Sequence, residues 1–230
     1  MNIADYVRRI AQDRTVRLLA TARLREPAFR NLLAPKDAAA LDEIESATSG
    51  RLRAEQGGTD RLHRRELVYG VEDAQFINAA FSSWLPRTLN RFNGPRRGAW
   101  YTALELPTCV AEVAFHIERE LANISDFHAT IDYAEIFASF IGNFVDVRRA
   151  RPRPAFLNPD PAEGYQAGNL FADFVRAAGH YGIVYQSLRH ADGTCLVALV
   201  PHAVQSVQQG GVIRLRWTGR SGPDISQPAQ

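Results

Sequence analysis

The chain of 230 residues is 46% hydrophobic and 23% charged, which is typical of a folded protein and not of a disordered one. Its formal net charge of +2 gives no electrostatic reason to expect nucleic acid or an anionic membrane as a partner. Because Cys109 and Cys195 form no C-x-x-C pair and the six histidines show no close spacing, we expect two buried free thiols and no metal site.

The first residues, MNIADYVRRIAQDR, contain no apolar segment of the kind found in signal peptides. No apolar run in the sequence reaches the length that spans a bilayer, which is about 20 residues. We therefore expect a cytoplasmic protein without a membrane partner.

Residues 1–56 are predicted to form an N-terminal helical region. The apolar positions 3, 6, 7 and 10 recur with helical spacing, while the run from Val16 to Leu19 allows a short strand. Asp37 is suited to cap a second, amphipathic helix, which the pair Gly57-Gly58 would end.

The remainder of the chain contains more predicted strands than helices. The strand-like runs are ELVYGV, QFINAAF, GAWYTAL, HATIDYAEIFASF, NFVDVR, GIVYQS, CLVALV and VIRLRW. Two segments favour helices: LPTCVAEVAFHIERELANI, with Pro107 in its first turn, and AEGYQAGNLFADFVRAAG, which ends at Gly179. Since strands and helices do not alternate strictly, we predict an α+β domain over residues 57–219, followed by a flexible tail at 220–230.

Glu112 is the first candidate for chemistry. On the predicted helix it shares one face with His116 and Arg119, at positions i, i+4 and i+7. Most such triples form a solvated polar face. The functional alternative is a carboxylate presented over the preceding strand.

Four further candidates lie just before that helix. Arg91 and Asn93 precede a Gly-Pro turn, which is consistent either with turn chemistry or with recognition of an anion by the guanidinium. Trp100 and Tyr101 must point to opposite faces of a strand, so one is expected in the core and the other in a cleft. An aromatic face beside a carboxylate would suit a flat cationic ring such as nicotinamide.

Ser187 ends a later predicted strand. No G-x-S-x-G elbow surrounds it, so we expect its hydroxyl to hydrogen-bond a ligand or a cleft residue rather than to act as a nucleophile. The sequence contains neither a Walker loop nor G-x-G-x-x-G, which argues against a P-loop or Rossmann nucleotide site.

Two of these segments, RFNGPRRGAWYTALELPTCVAEVAFH and GIVYQSLRHADGTC, together resemble the RES domain, a family named for an arginine, a glutamate and a serine. The spacing contributes to the resemblance, since Arg91 precedes Tyr101 by ten positions and Tyr101 precedes Glu112 by eleven. INAAF and ATSGRLRAEQG are similar to parts of the longer form of the family. The likeness covers most of residues 44–217.

RES proteins are NAD-consuming toxins of bacterial type II toxin–antitoxin modules. The resemblance therefore implies an ADP-ribosyltransferase-like mixed β-sheet, NAD as the substrate and a cognate antitoxin as a partner. The long form further implies mono-ADP-ribosylation of a protein acceptor, and one long-form toxin modifies phosphoribosyl pyrophosphate synthetase. Hydrolysis or phosphorolysis of NAD is the alternative within the family. An arginine-rich protein that binds nucleic acid is a remoter alternative, which the low net charge disfavours.

The resemblance also assigns roles to residues. By position, Glu112 and Tyr101 would be catalytic, and Arg91, Asn93 and Ser187 would line the NAD cleft. In this assignment Glu112 stabilises the positive charge on the ribose, Tyr101 stacks on nicotinamide and Arg91 pairs with the diphosphate.

The chain departs from the family at two positions. Many members carry a Tyr-Arg pair on the first strand of the domain, whereas here Tyr69 is followed by Gly70. We assign Tyr69 to the NAD cleft. The arginine is either missing here or supplied from elsewhere in the chain, for which Arg53 is our candidate. Gln186 stands before the serine where the family often has proline, which we expect to matter little.

Overall fold

The computed structural model describes residues 2–24, 62–82, 89–94 and 97–228. The strands in these ranges are β1 (Val7–Ala20), β2 (Trp100–Ala103), β3 (His128–Asp146), β4 (Gly182–Gln186), β5 (Thr194–Ala198), β6 (Gln205–Thr218) and β7 (Asp224–Ser226). The α-helices are α1 (Ala74–Ser82), α2 (Leu106–Asn123) and α3 (Pro161–Ala177). One seven-stranded mixed sheet with helices against it confirms the predicted α+β class.

The sheet closes on itself at one end. Its strand order is β1-β2-β5-β4-β3-β6-β7, and β1 also pairs with β3. The two long strands β1 and β3 run antiparallel along most of β1, and Val16 of β1 bridges to Ala103 of β2. The strands β1, β2, β5, β4 and β3 therefore form a ring, from which β6 and β7 extend.

Strands β4 and β5 are short, apolar and buried on both faces. Val184 and Leu196 belong to one apolar cluster, together with Phe81 of α1. Their neighbours Ile183 and Val197 belong to a second cluster, which α3 completes. Burial on both faces explains why these strands read as continuous apolar runs rather than alternating ones.

Helix α2 covers a different part of the sheet. Cys109, Val110 and Ala114 pack against β1 and β6 in a third apolar cluster. Pro107 lies in the first turn, as predicted, where its missing N–H costs no helical hydrogen bond. Both cysteines of the chain are buried free thiols, as the sequence suggested.

The prediction of helix at the N-terminus is wrong for residues 7–15, whereas the short strand allowed for Val16–Leu19 is part of β1. Ile3–Tyr6 forms one 3-10 turn, after which the chain enters β1. The register of β1 on β3 shifts between Gln12 and Thr15, and this irregularity interrupts the alternation that normally identifies a strand. Residues 25–56 of the predicted helical region, which include Asp37 and Arg53, lie outside the described residues.

Two predicted strands are also absent from the described chain. ELVYGV contains the end of a 3-10 turn and then an irregular segment, in which Val68 exchanges backbone hydrogen bonds with the Asn78 side chain (2.9 and 3.0 Å) instead of with a strand. QFINAAF lies in α1, whose buried positions include Ile77 and Phe81, one helical turn apart. A run this short does not distinguish helix from strand by sequence.

The end of the chain is more ordered than predicted. Asp224–Ser226 forms β7, which pairs antiparallel with β6, so the expectation of a flexible tail is wrong for these three residues. All three side chains are exposed. No helix of the described residues combines the length and apolar character needed to cross a membrane.

Candidate active site

The carboxylate of Glu112 lies where α2 passes the ends of β4 and β5. Its Oε1 accepts a hydrogen bond from Ser187 Oγ at 2.7 Å and a longer one from Cys195 Sγ at 3.7 Å. Burial raises the pKa of the Cys195 thiol well above its usual range, and the Glu112 charge raises it further, so the thiol remains a donor. No described residue donates to Oε2. The described donors thus fix one oxygen of the carboxylate.

Ser187 orients this carboxylate. The side chain is only 6% exposed, and its Oγ accepts hydrogen bonds from the backbone N–H groups of Arg189 (3.1 Å) and His190 (3.0 Å). With both lone pairs used, the single hydroxyl proton points at Glu112. The geometry fits a hydrogen-bonding serine and not a nucleophile.

The loop that carries Ser187, residues 187–193, is anchored at both ends. Ser187 N–H donates to the carbonyl of Gly193 at 2.8 Å. Thr108 Oγ1, at the start of α2, donates to Glu105 Oε1 and lies 2.8 Å from His190 Nδ1. Because the hydroxyl has one proton and gives it to Glu105, Nδ1 of His190 must be the donor in the second bond. The contact ties this loop to the helix that presents Glu112.

Arg91 is buried, with 8% of its surface exposed. Its Nη1 donates to the carbonyls of Phe156 (2.7 Å) and Asn158 (2.9 Å), and its guanidinium lies 5.1 Å from the centre of the Tyr165 ring. The arginine was predicted to contact NAD directly. In the structure its Nη1 is engaged by the protein, whereas Nε and Nη2 donate to no described residue.

Two glycines of α3 make room for Arg91. A Cβ atom on Gly168 would lie 2.0 Å from the Arg91 carbonyl oxygen, and one on Gly164 would lie 2.8 Å from Arg91 Nη1. Any larger residue at Gly168 must displace backbone. Glycine is therefore required there for α3 to pack on this turn.

Tyr101 holds the turn formed by residues 91–94. Its hydroxyl donates to Asn93 Oδ1 and accepts from Phe92 N–H, both at 2.9 Å. Burial raises the pKa of Tyr101, although the Phe92 hydrogen bond opposes the effect, so the hydroxyl stays protonated. Trp100 lies in the core and Tyr101 is partly exposed, which confirms that strand alternation sends them to different environments.

Two arginines near Glu112 were not assigned to the site from the sequence. The Cζ atom of Arg189 lies 3.3 Å from the centre of the Phe115 ring, and that of Arg119 lies 5.8 Å from it. Arg189 Nη2 also donates to the Pro159 carbonyl at 2.7 Å. The available signal was the helical face of Glu112, Phe115 and Arg119, which only the fold brings to Arg189.

Of the two remaining predicted residues, Tyr69 belongs to the described part of the chain. Tyr69 is 50% exposed and its hydroxyl donates to the Arg64 carbonyl at 3.4 Å. None of the hydrogen bonds made by Glu112 or Tyr101 reaches it. Arg53 lies outside the described residues.

The family model described as "RES domain" matches residues 67–218, a range that contains Arg91, Tyr101, Glu112 and Ser187. Among solved structures, the chain is similar to the M. tuberculosis MbcT-MbcA toxin-antitoxin complex, with 18% sequence identity and a TM-score of 0.40 over 55% of this chain and 72% of that chain. No curated protein matches the chain.

Proposed function

The chain belongs to the RES domain family, and from this premise we propose that it is an NAD-consuming toxin that transfers ADP-ribose to a protein acceptor. The observation that carries the proposal is the Glu112 carboxylate. One of its oxygens is held by Ser187 and Cys195, and the other is left without a donor among the described residues.

The reaction breaks the bond between nicotinamide and the ribose of NAD. Nicotinamide leaves with the bonding electron pair and becomes neutral, while the ribose acquires oxocarbenium character. A carboxylate close to that carbon lowers the barrier, as it does in glycosidases. Oε2 of Glu112 would accept a hydrogen bond from a ribose hydroxyl, and the carboxylate would keep its negative charge and stabilise the developing positive charge. The acceptor then forms the new bond to the same carbon and releases its own proton.

The other residues would prepare this step. Ser187 and Cys195 keep the carboxylate in one orientation. Tyr101 fixes the turn that carries Arg91 and Asn93 through its hydroxyl, and its partly exposed ring would flank the nicotinamide. Arg91 would direct its remaining N–H groups to the diphosphate. Preorganisation of this kind is effective because it costs no rearrangement during the reaction.

A toxin of this kind requires restraint, so we propose a cognate antitoxin as its physiological partner. The acceptor of ADP-ribose would be a protein. The resemblance to the long form of the family favours phosphoribosyl pyrophosphate synthetase as the first acceptor to examine.

The test uses purified full chain, NAD labelled in the adenylate and a bacterial lysate. We expect nicotinamide release together with one labelled protein band. Glu112→Gln keeps the shape but removes the charge, and should lower nicotinamide release by about 100-fold or more. Arg216→Ala is the matched control, because Arg216 is exposed on β6.

The products separate the possible outcomes. Free ADP-ribose without a labelled band would replace the proposal by NAD hydrolysis, and ADP-ribose phosphate would replace it by phosphorolysis. Nicotinamide release by Glu112→Gln at the wild-type rate would contradict the mechanism.

A further inference from the structure

Arg189 is held by two neutral partners. Its guanidinium lies at van der Waals distance over the Phe115 ring, with 3.3 Å between Cζ and the ring centre. Its Nη2 donates to the carbonyl of Pro159. A guanidinium that lies over an aromatic ring keeps the N–H groups at its edge available for other partners. In the described chain, Nε and Nη1 of Arg189 make no hydrogen bond.

One loop, residues 156–159, holds both Arg189 and Arg91. Three of its carbonyl oxygens accept from the two guanidiniums: Phe156 and Asn158 from Arg91, and Pro159 from Arg189. Carbonyls fix the position of a guanidinium without neutralising its charge. The loop therefore brings two full positive charges to the same region.

Arg91 and Arg189 differ in their partners from the arginines that form ion pairs elsewhere in the fold. Among the described residues, five other arginines form ion pairs within 4.0 Å: Arg97 with Glu66, Arg148 with Asp146, Arg176 with Asp173, Arg214 with Asp132 and Arg220 with Asp224. By contrast, no acidic side chain of the described residues lies within 4.0 Å of the guanidiniums of Arg91, Arg119 or Arg189. The charged groups that act most strongly on Arg189 are one carboxylate, Glu112, and two guanidiniums, Arg91 and Arg119.

This concentration of positive charge is unfavourable, because like charges repel. Burial lowers the pKa of Arg189; Glu112 partly offsets the effect, and Arg91 and Arg119 lower it further. Three guanidiniums against one carboxylate leave a formal excess of two positive charges. A bound group with two negative charges would relieve the repulsion, and the diphosphate of a dinucleotide carries that charge.

We propose that Arg189, stacked on Phe115 and braced by Pro159, binds the diphosphate of the dinucleotide together with Arg91. Arg189 follows Ser187 by two positions, so one loop orients the carboxylate and binds the diphosphate. The identification of the ligand as NAD rests on the proposed function, whereas recognition of a diphosphate does not.

The first test measures binding to the purified full chain by calorimetry, with ADP-ribose and adenosine as the two probes. Wild type should bind ADP-ribose more tightly than adenosine. Arg189→Ala should reduce the affinity for ADP-ribose about tenfold or more and leave adenosine unchanged, because charge-assisted bonds to phosphate are lost. Arg189→Lys keeps the positive charge but loses the two parallel N–H donors of a guanidinium, so its affinity for ADP-ribose should lie between those of wild type and Arg189→Ala. Arg216→Ala should behave as wild type.

The second test measures steady-state kinetics with NAD. Arg189→Ala should raise KM about tenfold and change kcat less than threefold, since a diphosphate contact is made equally in the ground state and the transition state. Thermal unfolding of each variant checks that the fold is retained, and Arg189→Lys serves if Arg189→Ala is unfolded.

The outcomes distinguish this inference from the proposed function. If Arg189→Ala and Arg189→Lys both bind ADP-ribose as wild type does, Arg189 does not bind diphosphate, whatever the NAD kinetics show. Equal affinity of wild type for ADP-ribose and adenosine would also overturn the inference. If wild type prefers ADP-ribose through Arg189 but releases no nicotinamide, the diphosphate site stands and the proposed reaction fails.

Discussion

At the scale of single residues, Ser187 is a buried hydroxyl that, in the proposed function, would act on catalysis without touching the substrate. Its Oγ accepts hydrogen bonds from two backbone N–H groups and donates a hydrogen bond to Glu112. The carboxylate therefore has one orientation before any ligand binds. Preorganisation predicts an effect on turnover rather than on binding.

Ser187→Ala should lower kcat for NAD cleavage by about tenfold to a hundredfold, with KM changed less than threefold. The variant also leaves two buried N–H groups without an acceptor, which costs stability of about 1–3 kcal/mol. Thr102→Val is the matched control. Thr102 lies on β2, and its buried hydroxyl donates to the carbonyl of Val16 at 2.8 Å. The variant without this hydroxyl should lose stability but retain kcat. Equal kcat values for the two variants would remove Ser187 from the mechanism.

At the scale of elements, a helix or strand was predicted correctly where its pattern of apolar residues was long and uninterrupted. Helix α2 was found because its apolar positions recur over eighteen residues. The first part of strand β1 was missed because a register shift interrupts its alternation, and α1 was missed because nine residues are too few. The spacing of Arg91, Tyr101 and Glu112 led to the prediction of the candidate site. Arg189 was missed because its partners Phe115 and Pro159 are distant in sequence and only the fold brings them together.

The packing of α3 on the turn of residues 91–94 is also an element-scale feature, and Gly168 tests it. A Cβ there would lie 2.0 Å from the Arg91 carbonyl oxygen. Gly168→Ala should reduce the free energy of unfolding by about 1–3 kcal/mol and shift the turn. Because small displacements of positioning groups have large kinetic effects, NAD turnover should fall about tenfold or more.

Gln166→Ala is the comparison for Gly168→Ala. Gln166 is exposed on the same helix, so its replacement should change both unfolding and turnover little. Chemical denaturation and NAD kinetics on the two variants provide the measurement. Wild-type stability and turnover in Gly168→Ala would show that α3 does not set the position of Arg91.

At the scale of the whole molecule, the first strand belongs to the same sheet as the site. β1 closes the ring of strands through its pairings with β2 and β3, and it buries Val16 and Leu18 in the cluster beneath α2. The division predicted from sequence, with a domain that starts at residue 57, separates this strand from its partners. Residues 25–61 lie outside the described chain, so the rest of that division stays a prediction.

A chain that begins at residue 57 should therefore fail to fold. It loses two fully buried side chains, worth about 1.5–3 kcal/mol each, and leaves one edge of β3 without its hydrogen-bonded partner. Against a total stability of about 5–15 kcal/mol, this loss removes most of the margin. The matched control ends at Gly222. It deletes β7, whose three side chains are all exposed, and keeps the hydrogen bond from Gly222 N–H to Glu118 Oε1. Thermal unfolding followed by circular dichroism should show a cooperative transition for the control and none for the chain that begins at residue 57. A cooperative transition in the latter would mean that β1 is dispensable and that the domain does begin near residue 57.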